Sequence, residues 1–182
     1  TRGSASNRAI SSGSGNSTRW WAARVAEVFP NLGRELAVVH PGVPMDAVPP
    51  STPIPDAGEI TLLSISRFDP RKDLERAIDT LAALGALVPP ALFDRVRLVM
   101  AGRYDDALPE QTALLEALRA RAASCGVAHH VSFALSPTSE ERDRMFALCR
   151  AVIYTPGAEH FGYVPLEAMA AGRPVVAVNH GG

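Results

Sequence analysis

The sequence predicts an α/β fold, a doubly wound parallel sheet with helices on both faces. From Glu59 onward, short apolar segments rich in Val, Ile and Leu alternate with amphipathic segments of helical length. This alternation is typical of βαβ units, whose strands run parallel and whose crossovers are right-handed. The segment lengths fit a nucleotide-binding domain of the Rossmann type. Residues 59–182 would form that domain, with its C-terminal part cut short.

The residues before this domain are predicted to form two other segments. Residues 1–17 are rich in Ser, Gly and Asn with almost no apolar content, which is typical of a disordered segment or a linker. The Gly13-Ser14-Gly15 run lacks the preceding strand and the following Gly-Lys-Ser/Thr of a phosphate loop, so we interpret it as linker. Residues 18–58 are predicted to be an inter-domain segment.

The inter-domain segment is predicted to hold a helix, a strand and a proline-rich linker. Trp21, Val25 and Val28 fall at helical spacing, which predicts a helix over 18–28 that Thr18 would cap. An apolar run predicts a strand over 36–40. The proline-rich run up to Gly58 suits neither a helix nor a central strand, and it therefore marks a boundary.

Each element of the domain follows from apolar spacing and from the residues at its ends. The predicted strands are Ile60–Ile65, 96–101, 131–134, Ala151–Tyr154 and 175–178. The predicted helices are 73–87 with Asp73 as cap, 108–124, 139–149 and 165–171 with Pro165 at its first position. The buried stripes are predicted to be Leu74, Ile78, Leu81 and Leu84 in the first helix, and Leu114, Leu115, Leu118 and Ala122 in the second.

Composition excludes several classes of function. Apolar residues make up 47% and charged residues 20% of the chain, and the formal net charge is −1, so nucleic-acid binding driven by a basic field is excluded. Apolar runs stay below the ~18 residues of a membrane span. Cys125 and Cys149 lie outside any C-x-x-C pair or Cys/His cluster, which predicts buried thiols and no metal site.

The chain starts without Met or a signal sequence, and we expect it to be an internal piece of a longer protein.

Ligands of doubly wound sheets bind beyond the carboxyl ends of the strands. The first candidates there are Arg67 and Lys72, in the segment that follows the first strand of the domain. A guanidinium fork, an ammonium group and the N-terminus of the next helix can converge on one diphosphate. A solvated basic loop, with Asp69 and Asp73 as local partners, is the alternative.

Two carboxylates follow the fourth predicted strand. Glu159 lies in the loop and Glu167, eight positions later, is predicted in the first turn of the next helix, so both can face one cleft and accept hydrogen bonds from sugar hydroxyls. A favourable charge at a helix start would equally explain Glu167, and a surface loop would explain Glu159. Gly162 would let backbone approach a ligand or simply make a turn. His160 could act as a base, although a packed or solvated histidine is more common.

Two further segments have weaker patterns. The run from Asn179 to Gly182 could form a phosphate nest or an ordinary turn. Asp105 and Asp106 resemble a metal-binding pair, but a helix cap before Leu108 is the better interpretation.

The two carboxylates also carry a family resemblance. The run from Glu159 to Glu167 matches the E-x7-E motif of the family 4 glycosyltransferases, whose GT-B fold has two Rossmann-like domains, and the match continues through residues 165–177. Arg67 and Lys72 have the family's spacing of five. More narrowly, residues 99–105, 154–156, 159–162, 164–169 and 177–179 resemble the α-1,3/1,6-mannosyltransferases of the dolichol pathway. The similarity spans about 38–182, and residues 1–17 show none.

The resemblance implies a role for each candidate residue. Arg67 and Lys72 would hold the donor diphosphate and stabilise charge on the leaving GDP. Glu159 would contact the mannose hydroxyls, with backbone N–H groups of Phe161 and Gly162 nearby. Glu167 would accept hydrogen bonds from the ribose. No metal or other cofactor would be needed.

The resemblance also implies partners and a location. Mannose would pass from GDP-mannose, with retention, to Man-GlcNAc2-diphosphate-dolichol at the cytosolic face of the endoplasmic reticulum membrane. The acceptor-binding N-terminal domain would lie outside this chain, so we expect the chain alone to bind donor weakly and not to turn over.

Other functions stay open at this stage. They are a family 4 transferase with another donor, such as UDP-glucose, and a non-catalytic scaffold subunit. A NAD-dependent dehydrogenase is disfavoured because no Gly-x-Gly-x-x-Gly follows Ile60–Ile65.

Overall fold

The computed structural model describes residues 17–31, 58–157, 159 and 161–179. In chain order the elements are α1 Ser17–Val28, β1 Ile60–Ile65, α2 Glu75–Leu87, α3 Pro90–Phe93, β2 Val96–Gly102, α4 Pro109–Ser124, β3 Val131–Leu135, α5 Ser139–Leu148, β4 Ala151–Tyr154, α6 Tyr163–Ala170 and β5 Val175–Ala177. Short 3-10 turns at Pro70–Lys72 and Ala128–His130 precede α2 and β3. In the part of the chain described, no helix has the length and apolarity that crossing a membrane requires.

The five strands form one sheet in the order β3-β2-β1-β4-β5, and all neighbouring pairs are parallel. The predicted doubly wound parallel sheet is therefore confirmed. The chain moves outward from β1 through β2 to β3 and then returns to β4 on the other side of β1. This reversal places a topological switch point between β1 and β4, where the crevice of such sheets opens.

Side chains of β2 alternate between the two faces of the sheet, and each face has its own core. Leu98 and Met100 pack in a cluster with α2 and α4, whereas Ala101 packs in a second cluster with α5 and α6. Period-2 alternation in a strand covered by helices on both sides produces this arrangement. Leu81 of α2 is fully buried, which contributes roughly 2 kcal/mol to stability.

Most predicted elements are confirmed. Ile60–Ile65 and Ala151–Tyr154 have the predicted bounds, and the other three strands differ at one end by a single residue. The predicted apolar stripes are also found, since Leu74, Ile78, Leu81, Leu114, Leu115, Leu118 and Ala122 are buried and Leu84 packs against them. The short helix α3 and the two 3-10 turns were not predicted, because each is too short to show a helical period.

Two predicted helix caps are wrong, because the residues concerned belong to turns that precede the helices. Asp73 ends the 3-10 turn in a left-handed conformation with φ 51°, and α2 begins at Glu75 with Leu74 before it. Neither Asp105 nor Asp106 caps α4. Leu108 precedes its first residue, and the Asp105 carboxylate accepts instead from the backbone N–H of Ala107.

Two other helices begin earlier than predicted. Residue 17 already belongs to α1, so Thr18 is not its cap. The helix α6 begins at Tyr163, which makes Pro165 its third residue and moves Glu167 from the first turn into the second. A left-handed Gly162, φ 80°, precedes the helix and lets the chain turn into it.

Several predictions fall outside the described residues. These are the linker over 1–16, the strand over 36–40, the proline-rich segment before Gly58, His160 and the terminal residues 180–182. The division of the chain into three segments stays a prediction.

Candidate active site

The candidate site lies beyond the carboxyl ends of β1 and β4, at the switch point of the sheet. The loop after β1 carries Arg67 and Lys72, and the loop after β4 carries Glu159. A hydrogen bond ties these loops together, since the hydroxyl of the buried Thr155 donates to the backbone oxygen of Lys72 at 2.7 Å. The strand order therefore brings two loops distant in sequence to one crevice.

A glycine lets the loop after β1 lie against the end of β2. The N–H of Ser66 donates to the oxygen of Ala101 at 2.9 Å, and that of Phe68 donates to the oxygen of Arg103 at 3.0 Å. Gly102 lies between these two acceptors with φ 151°, and a Cβ there would sit 1.7 Å from the oxygen of Ser66. Only glycine fits this close approach, which sets the position of Arg67.

Asp69 organises the loop between Arg67 and Lys72. Its carboxylate accepts from the backbone N–H of Arg71 at 3.0 Å and pairs with the Arg71 guanidinium, which starts the 3-10 turn. Hydrogen bonds from Arg71, together with the charges of Arg71 and Arg67, hold the pKa of Asp69 well below its usual range. The Arg67 guanidinium lies 3.8 Å from Asp69, and 59% of its side chain is exposed toward the crevice and solvent.

Lys72 and Glu159 meet across the crevice. The ammonium group of Lys72 donates to Oε2 of Glu159, and the two side chains are only 14% and 28% exposed. The Tyr154 hydroxyl contacts the same carboxylate. Burial first, and then the negative charge of Glu159, raise the pKa of Tyr154, so this phenol stays protonated.

These side chains line a cleft of about 480 Å³. Its lining includes Arg67, Lys72, Tyr154, Glu159, Phe161, Gly162 and the first two residues of α6, Tyr163 and Val164. The first-turn N–H groups of α6 have no partners within the helix, so this end attracts an anion. The cleft therefore combines cationic side chains with a helix N-terminus.

A second cleft of about 410 Å³ adjoins the first and shares Ser66, Arg67 and Val164 with it. Its other lining residues include Arg103, Ser136, Pro137 and Arg142. Beside this cleft, Arg142 of α5 donates a hydrogen bond to Oε2 of Glu167 on α6. The ends of β1, β2, β3 and β4 thus contribute to one continuous groove.

The charges of the groove favour an anionic ligand. Among the described residues, its lining holds four cationic side chains, Arg67, Lys72, Arg103 and Arg142, and one carboxylate, Glu159, while Glu167 beside it offsets the charge of Arg142. Guanidinium groups and a helix N-terminus suit phosphate, and the carboxylates suit hydroxyl donors. Within the described ranges, no three His, Cys, Asp or Glu side chains come together as a metal site.

The structure brings most of the predicted site residues together. Arg67, Lys72, Glu159, Phe161 and Gly162 line the first cleft. Glu167 lies one turn further along α6, where it pairs with Arg142 beside the second cleft. Glu167 therefore pairs with a side chain in the second turn of α6. The alternative from sequence, a charge in the first turn stabilised by the helix N-terminus, does not apply.

Sequence reasoning missed Arg142 and Thr155. Arg142 lies near the start of α5, at the carboxyl end of β3, and the strand-end rule would have found it if extended into the first helical turn. Thr155 lies in the run 154–156 that resembles the family, but its hydrogen bond could not be foreseen, because it depends on a loop 83 residues away.

Known proteins resemble this chain over most of its length. Residues 51–182 match the family described as Glycosyl transferases group 1. The α-1,3/1,6-mannosyltransferase ALG2 of Mus musculus is 33% identical over 172 residues, which are 91% of this chain and 41% of that protein. The chain thus spans about two fifths of the length of this curated relative.

Solved structures share the fold. The glycosyltransferase WaaG, involved in lipopolysaccharide biosynthesis, superimposes with a TM-score of 0.65 at 22% identity, over 87% of this chain and 42% of its own. Anabaena HepE, solved in complex with UDP and glucose, gives a TM-score of 0.57 at 28% identity, over 69% of this chain and 31% of its own.

Proposed function

The chain belongs to the group 1 family of glycosyl transferases, and on that premise we propose that it is the donor-binding part of a retaining mannosyltransferase that uses GDP-mannose. The groove that joins the ends of β1 and β4 carries this proposal. Arg67, Lys72 and the N-terminus of α6 line it together with Glu159. This combination suits a sugar diphosphate, which has anionic and hydroxyl-rich parts side by side.

The sugar and the acceptor are proposed from the relatives. The mouse relative is named an α-1,3/1,6-mannosyltransferase, which supports mannose transfer in the assembly of the N-glycan precursor. We extend this to Man-GlcNAc2-diphosphate-dolichol as acceptor, and to the cytosolic face of the endoplasmic reticulum membrane as location. The acceptor would be held by a further domain, since the chain spans only 41% of that relative.

The proposed chemistry places positive charge where the leaving group forms. The bond between the anomeric carbon of mannose and the diphosphate breaks, and its electron pair leaves with GDP. The acceptor hydroxyl forms the new bond on the same face of the sugar and gives its proton to an oxygen of the departing diphosphate. Arg67 and Lys72 stabilise the departing diphosphate electrostatically, and no metal or other cofactor is required.

Glu159 is proposed to orient the mannose. Its carboxylate accepts from Lys72 and lies next to the Tyr154 hydroxyl, so sugar hydroxyls would join an existing polar network. Phe161 and Gly162 line the same cleft, and their backbone N–H groups are proposed to donate to the sugar. Glu167 is proposed to accept hydrogen bonds from the ribose.

A UDP-sugar donor is the alternative, favoured by the similarity to HepE, whose structure contains UDP and glucose. Thermal unfolding of the chain with GDP, UDP and inorganic pyrophosphate separates the possibilities. At a hundredfold excess over its dissociation constant, GDP should stabilise the fold by about 2.7 kcal/mol. UDP and pyrophosphate should stabilise it less at equal concentration.

Three results would count against the proposal. Stronger stabilisation by UDP than by GDP would mean that the donor is a UDP-sugar and not GDP-mannose. Stabilisation by neither nucleotide would favour a scaffold subunit. Mannosyl transfer by the chain alone would contradict the need for a further domain.

A further inference from the structure

We infer that Arg142 is a positioning residue that orients the carboxylate of Glu167 toward the ribose hydroxyls of the donor. The inference rests on the proposed function, in which Glu167 binds the ribose. Arg142 of α5 donates from Nη2 to Oε2 of Glu167 on α6, and 25 residues separate the two in sequence. The hydrogen bond and the ion pair that Glu167 makes with the described residues both use Oε2, which leaves Oε1 for a hydroxyl donor.

Arg142 is itself held in place from two sides. Its backbone N–H donates to the oxygen of Thr138 at 2.9 Å, within a first turn that the reciprocal capping of Thr138 and Glu141 fixes. Its guanidinium carbon lies 5.2 Å from the ring centroid of Phe146, which is buried. The capped turn fixes the backbone of Arg142, and the ring fixes its guanidinium. A guanidinium held in one position can in turn hold the carboxylate of Glu167.

The location of the pair suits this role better than a purely structural one. The two side chains remain 34% and 22% exposed, so a ligand can reach the pair from solvent. Arg142 also lines the second cleft together with Arg67. Because the guanidinium occupies one oxygen and neutralises the carboxylate, Glu167 can lie near a diphosphate and still offer its other oxygen to a hydroxyl.

The test measures nucleotide binding to the full chain by isothermal titration calorimetry. The probes are GDP and 2′,3′-dideoxy-GDP, which differ only in the ribose hydroxyls. The variants are Arg142→Gln, Arg142→Lys, Glu167→Gln and the double variant Arg142→Gln with Glu167→Gln. The control is Arg144→Gln, which removes the same charge from an exposed position on the same helix.

Arg142→Gln should weaken GDP binding about tenfold, the size of one charge-assisted hydrogen bond, and leave dideoxy-GDP binding within twofold. Glu167→Gln should give the same pattern, and the double variant should be no weaker than either single one. Arg142→Lys should recover part of the preference for GDP over dideoxy-GDP, because lysine keeps the positive charge but lacks the two-pronged guanidinium. Arg144→Gln should bind both nucleotides as the wild type does.

Equal losses for the two nucleotides in Arg142→Gln would overturn the inference, because they would mean direct contact with the diphosphate. Full discrimination retained in this variant would also overturn it. If circular dichroism shows that Arg142→Gln does not fold, Arg142→Lys takes its place. Wild-type discrimination between GDP and dideoxy-GDP in Arg142→Lys would then overturn the inference. A wild type that binds GDP and dideoxy-GDP equally would instead refute the ribose role of Glu167, which belongs to the proposed function.

Discussion

Lys72 and Glu159 form an ion pair across the crevice although 87 residues separate them in sequence. Both were predicted to face the donor, one at the diphosphate and the other at the sugar. In the structure each side chain is the other's partner, and the pair joins the loops that follow β1 and β4. A bound diphosphate would therefore compete with Glu159 for the Lys72 ammonium group.

Substituting Glu159→Gln should tighten GDP binding. The change removes a negative charge from the groove and releases Lys72, and we expect a gain of about threefold to tenfold in affinity. Calorimetric titration at low ionic strength would measure it. The matched control is Glu116→Gln, which removes an exposed carboxylate paired with Arg119 on α4. Weaker GDP binding by Glu159→Gln would show that Lys72 depends on this carboxylate for its position.

Substituting Arg67→Gln should weaken GDP binding about tenfold, because a charge-assisted hydrogen bond to phosphate is lost. The dependence of affinity on salt should become shallower as well. Arg76→Gln is the matched control, since the Arg76 side chain is 57% exposed against 59% for Arg67, and each pairs with an Asp. Equal losses in the two variants would mean that overall charge, rather than the groove, binds the nucleotide.

Substituting Gly102→Ala should destabilise the fold by about 3 kcal/mol or more. The new methyl group would collide with the backbone oxygen of Ser66, and neither strand end can move without breaking sheet hydrogen bonds. Gly126→Ala is the control, because φ is 72° there and, apart from the two chain neighbours, no atom of the described residues lies within 4 Å of the added Cβ. It should cost about 1 kcal/mol. Urea unfolding would measure both, and equal costs would argue against the close approach.

The buried thiol of Cys149 should make stability fall at alkaline pH. Burial raises its pKa to about 11, partly offset by the charge of Arg173. The unfolded thiol releases its proton near pH 9 while the folded thiol keeps it, so unfolding becomes easier as pH rises from 9 to 11. The contribution is about 2 kcal/mol over that window.

Urea unfolding at pH 8 and at pH 10.5 would test this contribution. Cys149→Ala should lose less stability between the two pH values than the wild type does. Cys125→Ala, which removes the partly exposed thiol, is the control. A Cys149→Ala profile parallel to that of the wild type would contradict the assignment to this thiol.

Local sequence predicted the elements well and their ends less well. Apolar alternation and helical spacing depend on a few neighbouring residues, so Ile60–Ile65 and the buried stripe of α4 could be recognised directly. Caps depend on backbone angles that neighbouring residues share. Asp73 failed as a cap because the 3-10 turn before it uses that position, and α6 began before Pro165 because a left-handed Gly162 turns the chain earlier.

The sequence by itself determined the fold class, and it predicted the strand ends at which the candidate site lies. The tertiary structure alone decided which charges meet. Lys72 reaches Glu159 because β1 and β4 are neighbours in the sheet, and Arg142 reaches Glu167 because α5 and α6 pack on the same face. The physical reason is one of range. Hydrophobic periodicity acts over a single element, whereas an ion pair requires two side chains within a few ångströms, and strand order sets that distance.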